Sequence, residues 1–185
     1  MQRHLSLQRT LAMLTRIKQI LYDLKLKRFR TTNLHLLPDD HFQNIESIGI
    51  VFDATPEKDH KFVLKFQNNL KAEGRDVHVL GFFNQKEEPG PQSFSYFNME
   101  GVGFSMTPSS DIAKQFIEHP FDVLINLDYN SNATINYISA ASRALFKIGP
   151  ATGNPNHYDL MIDLGRNYKI SHLIKEIRRT FNLIN

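Results

Sequence analysis

Cysteine and tryptophan are absent from the 185-residue chain, which has only nine glycines and eight prolines. Without cysteine there is no disulfide framework, thiolate nucleophile, zinc–thiolate site or cysteine-ligated iron–sulfur cluster. No run of about 18 uninterrupted apolar residues occurs, the length that a bilayer-spanning helix needs. Neither G-x-x-x-x-G-K-[ST] nor G-x-G-x-x-G follows the first predicted strand, and Asp53 to Asp59 contains no glycine. No G-x-S-x-G elbow presents a serine nucleophile. The eight histidines, at 4, 35, 41, 60, 78, 119, 157 and 172, show no H-x-H or H-E-x-x-H spacing, so no metal ligand set is read from them. The first residues lack the compact apolar region of a secretory signal, which makes cytoplasmic the expected location. Their arginine-bearing, acid-poor composition is also that of an organelle transit peptide.

What is present describes a globular protein: 41% hydrophobic and 22% charged residues, in a length that fits one domain with a sizeable core. The net charge of +3 divides unevenly. Residues 1–30 carry eight basic groups and one acid, a net +7, whereas the rest carries 14 basic and 18 acidic groups, a net −4. The chain therefore divides into a basic arm, residues 1–33, and an acidic body, residues 34–185.

Residues 5–29 are predicted to form one long amphipathic helix. Leu7, Leu11, Leu14, Ile17, Leu21 and Leu24 recur at steps of three and four, with Arg9, Arg16, Lys27 and Arg30 roughly opposite. Leu34 to Asn44 reads as a connector. Ser47–Phe52 is a short, nearly continuous apolar run, as in a strand buried on both faces. Thr55-Pro56 and Thr107-Pro108 read as helix starts, with threonine as the cap and proline at the first helical position. The first of these helices runs to about Glu73 and stops at Gly74; the second ends near His119-Pro120. Val77–Phe83, Asp122–Leu127, Lys147–Gly149 and Tyr158–Leu164 are further strands. Phe94–Phe97 and Val102–Ser105 read either as a hairpin or as one strand with an irregular lead-in. Ala133–Phe146 is predicted helical, and the last helix carries Ile170, Leu173, Ile174, Ile177, Phe181 and Ile184 on one face. Strands alternating with helices imply a mainly parallel sheet in a three-layer Rossmann- or flavodoxin-like α/β domain, preceded by the long basic helix.

In an open parallel sheet, ligands bind beyond the carboxyl ends of the strands. Three predicted strands end in a carboxylate: Asp53, Asp128 and Asp163. If the first two strands are neighbours, Asp53, Thr55, Asp128, Asn130 and Asn132 converge on a Mg²⁺, a sugar or a ribose. The competing reading is that such residues cap the next helix or hold a turn. The loop Gly149–Pro155 has the composition of a binding loop, or of an ordinary connector. For the basic helix three readings stand. It docks its leucine face on the body. It contacts a polyanion through Arg9, Arg16, Lys18, Lys25, Lys27, Arg28 and Arg30, nucleic acid being favoured over membrane. Or it pairs with a partner or its own copy along a short heptad-like seam.

Four segments carry a resemblance: Ile48-Gly-Ile-Val-Phe-Asp53, Asp122-Val-Leu-Ile-Asn-Leu-Asp128, Ile138-Ser-Ala-Ala-Ser-Arg143 with Ile148-Gly149, and Tyr158-Asp-Leu-Met-Ile-Asp163. With these the chain resembles members of an uncharacterised bacterial family, a domain of unknown function, which implies an α/β fold and no particular activity. Residues 121–150 are also similar to a segment of heptosyltransferase-like glycosyltransferases, which pair two Rossmann-like domains around a nucleotide-sugar. This chain has room for one such domain, and no catalytic residue carries over. The expectation is thus a non-catalytic module without cofactor or metal, binding a partner through its basic helix. The alternative is a nucleotide- or sugar-phosphate-binding enzyme or sensor with its site at the strand ends.

Overall fold

The computed structural model describes residues 45–151, 157–165 and 168–184. The predicted helix over residues 5–29, its seven basic contact candidates, the whole connector from Leu34 to Asn44 and residues 152–155 of the candidate loop Gly149–Pro155 lie outside the described residues. Among the described residues six strands form one sheet: β1 (Ser47–Asp53), β2 (Asp76–Phe83), β3 (Ser95–Asn98), β4 (Val123–Asn126), β5 (Phe146–Pro150) and β6 (Leu160–Ile162). All neighbours pair parallel, in the order β3-β2-β1-β4-β5-β6. The helices among the described residues are α1 (Glu57–Ala72), α2 (Asp111–Glu118), α3 (Ala133–Ala141) and α4 (Ile170–Ile184).

Side-chain alternation assigns the two faces of the sheet. Ile48, Ile50 and Phe52 of β1, Val77 and Val79 of β2 and Val123 and Ile125 of β4 pack with Val63, Phe66 and Leu70 of α1 and Ile170, Leu173 and Ile177 of α4. Val51, Leu80, Phe82 and Leu124 face the opposite way, against Ala113 and Phe116 of α2 and Ile135 and Ile138 of α3. A strand covered on both faces must be apolar at consecutive positions, which is why SIGIVF lacks polar alternation. Gly49 is required for close packing, because a Cβ there would lie 2.7 Å from the Phe121 ring.

Several element boundaries depart from the sequence expectation for identifiable reasons. Pro56, not Thr55, is the residue before α1, and it makes no side-chain cap bond. The Thr55 hydroxyl instead accepts the Asn84 amide at 2.8 Å, joining two loops. Ser110 caps α2 by accepting the Ala113 amide, while Pro108 sits in an antiparallel bridge with Val102. That bridge closes a tight turn after β3, which itself ends in a 3₁₀ turn at Met99–Gly101. Helix α3 stops at Ala141, five residues before β5 begins, and the predicted extension to Phe146 is not helical. The α1 terminus follows its sequence signal, with Gly74 at φ +84° just past the cap. Among the described residues no helix is long and apolar enough to cross a membrane.

Candidate functional site

Strand order reverses between β1 and β4. The chain leaves β1 for α1 on one face of the sheet and leaves β4 for α3 on the other, so a crevice opens above their carboxyl ends. The register Val51↔Asn126 places these two strands side by side, and with them the ends that carry Asp53 and Asp128. Asp163 follows the edge strand β6, two strands further from β1, and holds its own turn by accepting the Gly165 amide at 2.8 Å.

The predicted residues are engaged mainly with their own backbone. Asp53 Oδ1 accepts the Thr55 amide at 2.9 Å. Asp128 is 2% exposed, and its two oxygens accept the amides of Asn130 (2.9 Å) and Asn132 (2.5 Å). Asn132 then caps α3, its Oδ1 accepting from Thr134 and Ile135. Asn130 contributes its amide to Asp128, and the residue is exposed. Burial raises the Asp128 carboxyl above the ordinary carboxylate range; the two amide bonds oppose the rise and the Asp53 charge adds to it.

The first turn of α1 adds two more acids, Glu57 and Asp59, where its amides would otherwise attract an anion. Asp59 is buried and accepts the Tyr129 hydroxyl at 3.4 Å. Burial, followed by the Asp59 charge, raises the Tyr129 phenol. His60 Nε2 donates to the Ala54 carbonyl at 2.6 Å, fixing the loop between β1 and α1 from behind. The crevice is thus bordered by carboxylates and lacks the glycine-rich amides that cradle phosphate. Among the described residues, no group of three or more acidic, histidine or cysteine side chains is placed to hold a metal ion.

A second polar cluster, unforeseen from the sequence, lies under α3. Asn126 is fully buried; its Nδ2 donates to Ser139 Oγ (3.1 Å) and to the Tyr158 hydroxyl (2.5 Å), while its Oδ1 accepts the Asp128 amide (2.7 Å). Tyr158 in turn donates to Asn136 Oδ1 at 3.2 Å. The ring lies against Gly149, where a Cβ would come within 2.4 Å. Burial pushes the Tyr158 phenol up to about 12. On the neighbouring strand Lys147, 4% exposed, donates from Nζ to the Ala140 carbonyl at the end of α3. Burial lowers that ammonium to about 8, with Asp159 acting in the opposite direction. The sequence signal for this cluster is slight: one asparagine inside the apolar run DVLINL. Chemically the cluster is a scaffold, because it fixes the Asp128 loop and the start of α3 from below.

The family to which the chain is assigned names no chemistry. The chain belongs to a family of unknown function, DUF6913, whose model matches residues 18–184. A search of curated proteins finds no match.

Proposed function

We propose that the protein is a non-catalytic binding module. In this reading a Rossmann-like α/β body acts as scaffold and the basic segment of residues 3–30 contacts the partner. The observation that carries the reading is the engagement of Asp53, Asp128 and Asn132 by backbone amides, at the place where a ligand-binding α/β domain would present them outward. The charge division supports it further: +7 in residues 1–30 against −4 elsewhere suits an arm that meets an acidic surface or a polyanion. Deleting residues 1–30 tests it. A folded body that loses its partner, or loses salt-sensitive binding to duplex DNA, supports the arm as the contact. A body that precipitates makes the segment part of the core and removes the proposal.

A second reading rests on the adjacency of β1 and β4. The strand order is that of Rossmann-type doubly wound domains, whose ligands sit in this crevice. In this reading Asp53, Thr55, Asp128, Asn130 and Asn132 bind a nucleotide or sugar phosphate. A thermal-shift screen with nucleotides, nucleotide-sugars and Mg²⁺ distinguishes it, since a ligand at 100 times its Kd stabilises by about 2.7 kcal/mol. An unchanged melting temperature with all of them removes this reading.

A further inference from the structure

One edge of the sheet is only partly covered. Strand β3 pairs with β2 from Leu80 onward, and the chain bends at Ser93-Phe94 just before it joins the ladder. Asp76 to Val79 therefore have no strand on that side among the described residues. The Asp76 amide donates to the Glu46 carbonyl on the β1 side. In a parallel ladder successive residues point their backbone groups to opposite neighbours, so those of Val77 and Val79 point away from β1. The Leu80↔Ser95 pairing takes up the Val79 carbonyl. The Val77 amide, the Val77 carbonyl and the Val79 amide are left facing a notch of about 430 Å³. Gln67 Nε2 reaches the Val77 carbonyl at 3.4 Å, a long bond for a position built for a ladder partner.

We propose that this notch binds the free carboxyl-terminal end of a partner protein as a short strand parallel to β2. Amide, carbonyl and amide in ladder sequence are the groups that an added strand takes up. Such a strand would lie in line with β3. Its residue opposite His78 would donate to the Val77 carbonyl and accept from the Val79 amide. It cannot run on, because Ser95 already holds the place opposite Leu80, two positions further along the same line. A chain entering in this direction must stop opposite His78, and the end that stops there is a carboxyl terminus. Its carboxylate then meets the Val79 amide, and no aspartate or glutamate among the described residues lines the notch to oppose it. The neighbouring acid, Asp76, is exposed and engaged with His78 Nε2 at 3.0 Å. The last side chain shares the face of His78 and Leu80, toward Ile112 and Phe116, and the one before it shares the face of Val77 and Val79, toward Phe94. Apolar residues fit both places. The inference uses none of residues 1–30 and is independent of what the basic arm contacts.

Two measurements on the full chain test it. In the free protein, hydrogen exchange of the Val77 and Val79 amides is expected to be about tenfold or more faster than that of Ile50 and Val51. Equally slow exchange means that the chain itself fills the notch, and overturns the proposal. A library of random heptapeptides displayed with free carboxyl ends then supplies the probe, its best binder being made both as the free acid and as the carboxamide. The acid is expected to slow exchange at Val77 and Val79 about tenfold or more. The carboxamide is expected to bind about tenfold or more weakly, because a charged hydrogen bond is lost. Ile112→Glu, a change at an exposed position of the wall, should abolish the protection that the acid gives. An empty selection, no protection at Val77 and Val79, equal binding of the carboxamide, or undiminished protection in Ile112→Glu each overturns the proposal. The carboxamide arm needs no variant, so the test stands even if Ile112→Glu fails to fold.

Discussion

Under α1, the space beside β1 and β2 is filled by Phe52, Phe83 and Phe94, with His60 set edge-on against all three. Under α3, the corresponding space beside β4 and β5 holds Asn126, Ser139, Asn136, the Tyr158 phenol and Lys147. The first region is held by area removed from water, about 1.5–3 kcal/mol for each large side chain. The second gains little from its hydrogen bonds relative to water and loses heavily when one is broken. The apolar side therefore supplies stability. The polar side fixes one arrangement of the loops that follow β4, because only one geometry satisfies its donors and acceptors together.

Phe52→Ala should have the largest effect, about 3–5 kcal/mol of lost stability in chemical denaturation, since Phe52 is fully buried and its truncation opens a cavity within the aromatic group. A loss under 1 kcal/mol would mean that this side is not the principal source of stability. Asn126→Ala should cost about 1–3 kcal/mol, because it orphans the buried Asp128 amide and one bond of Tyr158. Its signature is loss of chemical-shift dispersion in residues 128–136 with β1 and β2 unaffected. Equal disturbance of both regions would erase the distinction between them.

The third effect concerns pH and is small at neutral pH. Lys147 releases its proton at about 8 in the folded protein, against the usual 10.5 when unfolded. Between those values the unfolded chain holds more protons, so this residue makes stability rise with pH. Tyr158 acts oppositely, since its phenol ionises near 10 when unfolded and about 12 when folded, which lowers stability above pH 10. The wild-type protein is therefore expected to gain on the order of 2 kcal/mol between pH 7 and 10 from Lys147. Lys147→Met should flatten that rise and be neutral or stabilising at pH 7. Urea midpoints measured across the window check both; an unaltered slope in the variant would refute the assignment.

Much of the fold was legible because burial on both faces leaves its mark in consecutive apolar residues. The runs SIGIVF, VHVLGFF and DVLINL all became strands, and Gly74 and His119-Pro120 marked helix ends. Helix starts were less legible. Thr-Pro carries the same local signal whether its threonine caps a helix or, like Thr55, binds a distant loop amide. The carboxylates at the ends of β1 and β4 were also legible, but their engagement was not. Whether Asp128 faces a ligand or its own loop depends on the backbone path from Tyr129 to Asn132.

By itself the sequence determined the class of the protein: an α/β body whose central strands are buried on both faces, and a basic N-terminal segment of opposite charge to it. Hydrophobic periodicity and charge are local properties and survive without coordinates. Tertiary structure alone decided that β1 and β4 are neighbours, that Asp128 is engaged by its own loop, and that Asn126, Ser139, Asn136 and Tyr158 form one cluster. Those facts join residues as far as 75 positions apart, as between Ser47 and Asp122, and only the folded chain brings their donors and acceptors within bonding distance.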